Sequence, residues 1–194
     1  MHAAQTVIRL IDRINMGVGR TVMWLAIVMA LVQFTVVIMR YVFSIGSIPM
    51  QEAIWYMHGL LFMLGAGYAL LYDGHVRVDI FYREARSRTR AWTDLLGGLV
   101  FLVPLCFVTL YYSYSYVGNS WRVREGSTEI SGLPFIYLLK TSIWVFAVLL
   151  GLQAVAMVLR ALLHLLGARA NYNADYAREV TMVTEPELPP HAER

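Results

Sequence analysis

Glu52, His58 and Lys140 are ionisable residues at the edges of long apolar blocks. Such groups are costly in an apolar medium unless they are paired or hydrated, so a carboxylate, an imidazole and an ammonium at similar depth could relay a proton or an ion. A second set lies in "LLYDGHVRVDIFY", residues 70–82, where His75 and Asp79 are four apart. On a helix they would share a face and could supply two metal ligands, although two without a third do not make a site. The alternation also fits an extended segment, with Val76, Val78 and Ile80 on one side, the charges on the other, and Gly74 permitting the turn before it. No nucleophile triad, phosphate loop or pair of catalytic carboxylates is present. The loop "GNSWRVREGSTEISGLP" offers serine and glutamate without a neighbouring histidine, so no enzymatic activity and no cofactor are expected.

These residues must be positioned by membrane-spanning helices. The chain has 194 residues, 58% of them hydrophobic and 15% charged, with a mean hydropathy of +0.55, and the apolar residues fall in four blocks long enough to cross a hydrocarbon core of about 20 helical residues. The blocks are 21–43, 52–72, 95–117 and 135–163. They are continuous rather than alternating, which excludes strands in lipid. The expected fold is an all-α integral membrane protein with four transmembrane helices, organised as an interfacial segment 1–20, a membrane domain 21–166 and a mobile tail 167–194. In the first segment Val7, Ile8, Ile11, Ile14 and Val18 recur at helical spacing among Arg9, Asp12, Arg13 and Arg20, as in an amphipathic helix lying in the interface. The first block is too long for a cleaved signal, so the N-terminus is expected to remain. Cys106 is the single cysteine and excludes a disulfide framework within the chain. The net charge of +3 gathers at block ends rather than in a basic patch, against nucleic-acid binding.

Orientation follows from arginine and lysine counted by loop. Arg9, Arg13 and Arg20 precede the first span. Arg77, Arg83, Arg86, Arg88 and Arg90 connect the second and third, and Arg160, Arg169, Arg178 and Arg194 lie at the C-terminal end. The opposite side carries Arg40, Arg122, Arg124 and Lys140. Both termini and the 73–90 connection are therefore expected in the cytoplasm. Arg40, Glu52 and Lys140 then share an outer layer, with His58 slightly deeper, and an Arg40–Glu52 ion pair is expected to join the first two spans, with the relay as its alternative. Gln33 and Gln153 suit interhelical hydrogen bonds, and Gly65, Gly67, Gly97 and Gly98 suit close helix approach. Tryptophans and the tyrosines of "LYYSYSYV" fit an aromatic belt.

Taken in order, these features resemble the small membrane subunit of tripartite ATP-independent periplasmic (TRAP) transporters, the DctQ-like family, over about residues 11–160. The shared features are the four-span plan, Arg40, Glu52, and Gly65 with Gly67. Gly74, His75, Val78 and Asp79 fill a Gly-His-x-x-Val-Asp pattern after the second span, and Gly132, Leu133, Pro134 and Lys140 introduce the fourth. The resemblance implies a bacterial inner-membrane subunit that partners a larger multi-span permease subunit and a periplasmic solute-binding protein, in contact with membrane lipids. It also implies uptake of an organic acid by ion-gradient symport, with the small subunit bracing the large one. His75 and Asp79 would order the cytoplasmic corner or contact the partner, and Arg122, Arg124, Glu125 and Glu129 would lie where the binding protein docks. Two other classes stay open. One is a stand-alone carrier working through Glu52, His58 and Lys140, which would need them to line a cavity. The other is a membrane cytochrome with histidine ligands, for which His58 lacks a partner at equal depth.

Overall fold

A computed structural model describes residues 2–72 and 86–167. Gly74, His75 and Asp79, with the expectation attached to them, and nearly all of the 167–194 tail lie outside the described residues. The described residues are all-α, with four helical stretches among them long and apolar enough to cross a membrane.

Helix α1 (His2–Val22) and α2 (Trp24–Val42) meet at Met23, which keeps helical dihedrals. α3 (Ile48–Leu71) starts with Pro49 in its first turn, where the missing N–H would have no intrahelical partner anyway. α4 (Ser87–Leu96) runs through a π-helical stretch, Gly97–Leu102, into α5 (Val103–Val123). Two sequence features account for the widened turn. Pro104 cannot donate to the preceding turn, and the Gly97–Gly98 pair resists regular winding least. α5 ends on Arg124 in the left-handed region, φ 46°, with the Glu125 N–H returning to the Ser120 carbonyl at 3.0 Å. α6 (Ile136–Leu165) is the longest helix, about 45 Å at about 1.5 Å per residue, and Gly167 at φ 74° closes it.

The spans pack as an open row rather than a closed bundle. α2 packs on α3, α3 on α6, and α6 on α5, while α1 crosses both α3 and α6, and α4 continues along α6. The last span is the hub: 39% of its most apolar window is buried inside the protein, against 11% for each of the others. Alanines make this possible. Ala156 packs with Ile8, Ile11 and Leu163, and Ala161 with Ala91, flanked by Leu95 and Leu165, the small-residue contacts that let helices approach closely in lipid.

In each glycine pair one member mediates a close approach and the other does not. A methyl group on Gly67 would collide with the Asn15 side chain of α1, and one on Gly98 would lie 2.8 Å from Val158 of α6. Gly65 and Gly97 have open space where a methyl would stand.

Candidate functional site

At one end of the row, loop 124–135 folds back over the start of α3. Glu52 is only 8% exposed and is held by that loop. The Ser127 hydroxyl donates to Oε1, and the Leu133 N–H donates to Oε2 at 2.6 Å. Ser127 in turn accepts from the Glu129 N–H at 3.1 Å, and its own N–H reaches the Leu133 carbonyl at 3.1 Å. Gly132 leaves the room for this arrangement, since a methyl group there would lie 2.6 Å from Glu52 Oε1 and closer still to Ser127. A charged acceptor with a hydroxyl and an amide donor is a strong local tie, because bonds to an ionised group contribute roughly twice as much as neutral ones.

Beside it, Lys140 donates to Glu125 Oε2 at 2.5 Å and lies 4.0 Å from the centroid of the Tyr116 ring. The bonded ammonium, with a smaller contribution from Ser120, holds the Glu125 carboxyl below the usual glutamate range. The Trp121 indole N–H donates to Thr141 Oγ1 at 2.8 Å, and its ring meets Tyr137 edge-on at 4.8 Å. α5, the loop and α6 are thereby joined at the same end.

The expected Arg40–Glu52 ion pair does not form. Both Glu52 oxygens are taken by the loop, and Arg40, exposed on α2, makes no ion pair among the described residues. The reason is topological: spacing along the chain put the two residues in one layer, but the returning loop brings donors nearer to Glu52 than Arg40 is. The relay arrangement is also not assembled. His58 is exposed and stacks on Phe62 at 6.4 Å, while Glu52 and Lys140 have separate partners. Gly132, Pro134 and Lys140, far from Glu52 in sequence, do gather there, with Pro134 against Gly126. Arg122, Arg124 and Glu129 are exposed around them, and Ile130 stands fully out from the loop. Among the described residues no three His, Cys, Asp or Glu side chains converge as a metal site would require.

The opposite end of α6 holds a network in which Gln153 makes the interhelical hydrogen bonds its position suggested, but whose ion pair the sequence pattern did not single out. Arg160 and Asp12 form an ion pair with side chains 1% and 2% exposed. Gln153 Nε2 donates to the other Asp12 oxygen at 3.1 Å, and Asn15 Nδ2 donates to Gln153 Oε1 at 2.9 Å. The periodicity of α1 places Asp12 among the charges of an interfacial helix and Arg160 counts only toward orientation, whereas the structure buries both. The available signal was a matched pattern: Asp12 and Asn15 share a face with Ile8 and Ile11 on α1, and Gln153 and Arg160, seven apart, share a face of α6.

Among known protein families, the one described as tripartite ATP-independent periplasmic transporters, DctQ component, matches residues 29–170. No curated protein and no solved structure matches the chain.

Proposed function

From its membership of the DctQ family, the small permease component of TRAP transporters, we propose that this chain is a bracing subunit with no transport site of its own. It holds the larger multi-span permease subunit while that subunit takes up an organic acid, delivered by a periplasmic binding protein, in uptake driven by an ion gradient. The family is one of transporter components rather than enzymes, and the four apolar helices make the chain a membrane protein.

The open row carries this reading. A carrier working alone needs polar groups around a cavity near the middle of its spans, usually at broken helices. Among the described residues α2 and α5 stand at opposite edges of the row and do not pack on each other to close it, and α2, α3 and α6 run unbroken. Glu52 and Lys140, the ionisable groups that a stand-alone carrier would use, tie down a terminal loop. We assign that loop end to the periplasm and both termini to the cytoplasm of a bacterial inner membrane, from the distribution of arginines. On this orientation Arg122, Arg124, Glu125 and Glu129, with Ile130 at the apex, offer the docking surface for the binding protein.

Reconstitution provides the test. The large subunit with this chain and the binding protein should take up solute in proteoliposomes under a sodium gradient, and omission of this chain should abolish uptake. Transport by this chain alone would sink the bracing reading. Arg40→Ala should leave the identity of the transported solute unchanged, and Arg122→Ala should weaken coupling to the binding protein without impairing insertion.

A further inference from the structure

Helix α1 carries one acidic residue, Asp12, among three arginines, Arg9, Arg13 and Arg20. The fold takes the acid off the surface: Asp12 is sealed against Arg160 of α6, while all three arginines are exposed. A helix of mixed charge thus presents a purely basic strip, since at about 100° per residue the arginines fall within about 40° of one another. Among the described residues neither Arg9 nor Arg13 has an acidic partner, and the Arg9 Nε–H donates to the Gln5 carbonyl of its own helix at 3.4 Å. About a third of a turn away runs a second strip, Val7, Leu10 and Ile14, 40–59% exposed. The remaining sector, with Ile8, Ile11, Asp12 and Asn15, is packed into the protein.

The end of α1 fixes its level. Arg20, Trp24 and Ile27 follow one another at four- and three-residue spacing where α1 runs into α2, and all three are exposed. The same order, Arg88, Trp92 and Leu96, recurs on the exposed side of α4 as that helix leads into the third span. Arginine, then tryptophan, then an aliphatic residue is the succession expected from headgroup to hydrocarbon along a helix entering a bilayer. The first and third spans run in the same direction, so the two series mark one leaflet and leave α1 at its headgroup level. Ile8 and Ile11 hold it there against Ala156 and Leu163 of α6.

Arginine beside exposed aliphatic residues at that level matches one chemistry. Guanidinium groups bind phosphate oxygens in a fixed fork, and the apolar strip suits acyl chains, for which a free phosphate has no use. A zwitterionic headgroup also brings an ammonium group, and α1 exposes no carboxylate to receive it. We propose that the exposed face of α1 binds anionic phospholipid, with Arg9 and Arg13 on headgroup phosphates and Leu10 and Ile14 on acyl chains. α1 is then clamped between lipid on one side and the Asp12–Arg160 tie on the other. This surface lies outside the bracing reading and does not depend on it.

The test uses the full chain purified in a non-ionic detergent and offered equal amounts of phosphatidylglycerol and phosphatidylcholine with identical acyl chains, the retained lipid being counted by native mass spectrometry. The parent should retain phosphatidylglycerol in preference. Arg13→Gln should weaken that preference about fivefold, and Arg9→Gln with Arg13→Gln about twenty-five-fold, at about fivefold for each arginine near an anionic surface. Both positions are exposed, so melting in detergent without added lipid should not change. Arg122→Gln with Arg124→Gln, an exposed pair at the other end of the protein, should leave the preference intact. An equal loss in that pair would mean that overall charge attracts the lipid and would overturn the proposal. So would an unaltered preference in the double α1 variant, or displacement of phosphatidylglycerol by inorganic phosphate at equal concentration. A photo-crosslinking benzoylphenylalanine at Leu10 in the native membrane supplies the second measurement. Adducts confined to lipid support the proposal, whereas an adduct with a large permease subunit overturns it while leaving the bracing reading standing.

Discussion

The two ends of α6 are tied down by charged groups under opposite conditions. At the end carrying Arg160, the ion pair to Asp12 is sealed, with both side chains at most 2% exposed, and it is backed by two amides. At the end carrying Lys140, the pair to Glu125 is open, with side chains 15% and 37% exposed, and the better-buried group there is Glu52, bound by a hydroxyl and a backbone amide instead of a cation. Burial rather than contact distance sets how much each tie matters. A sealed charge stripped of its partner has no water to turn to, whereas an exposed one is rehydrated at once.

The sealed end should give the largest effect. Arg160→Leu leaves Asp12 buried and unpaired, and should destabilise the protein by about 3–5 kcal/mol, read by reversible unfolding in mixed detergent micelles. The double variant Asp12→Leu with Arg160→Leu should recover most of that loss, because no uncompensated charge remains. A single variant no worse than the double would break the comparison by showing that water reaches Asp12. Next comes Glu52→Ala, which strands the Ser127 hydroxyl and the Leu133 N–H. A loss of about 2 kcal/mol is expected from bonds to an ionised acceptor, together with faster proteolysis within loop 124–135.

A glycine contrast sharpens the comparison at smaller scale. Gly67→Ala drives a methyl group into Asn15, whose Oδ1 is already buried without a hydrogen-bond partner, and should cost about 1–3 kcal/mol by overpacking. Gly65→Ala, two residues away with open space around it, should be neutral or stabilise by up to about 1 kcal/mol through helix propensity. Equal melting of the two would mean that α1 does not sit on α3 as described.

The four helices were legible because uninterrupted apolar blocks of spanning length admit one solution in lipid. The contacts of Glu52 were not. Its layer could be estimated from rise per residue, but its partners come from a loop some 80 residues away in sequence whose path depends on the left-handed turn at Arg124 and the room left by Gly132. The Asp12–Arg160 pair escaped for a different reason. Arginine near a span end satisfies the orientation rule whether it faces water or another helix, so counting charges hides the ones that pair. Similarly, the periodicity of α1 identified an amphipathic helix without separating Ile8 and Ile11, which are buried, from Val7 and Ile14, which are exposed.

The open pair should respond least to substitution and most to solvent. Glu125 is held below its usual range chiefly by the hydrogen bond from Lys140, so whatever the pair contributes is present above the ordinary glutamate value and is lost as pH falls through the depressed one. The sign is that of a carboxylate that must bind a proton for the tie to open. Lys140→Met should remove this acid-side loss while changing neutral-pH stability little, and added salt should weaken the parent without affecting the variant, since exposed pairs are screened. Melting curves across the acid range at low and high salt would check it. An Arg160→Leu protein measured in the same way should keep the acid-side loss that belongs to Glu125, because that tie lies at the other end of α6. If the acid response disappeared with Arg160 instead, the two ends would be coupled through the helix, and the separation drawn between a sealed and an open tie would fail.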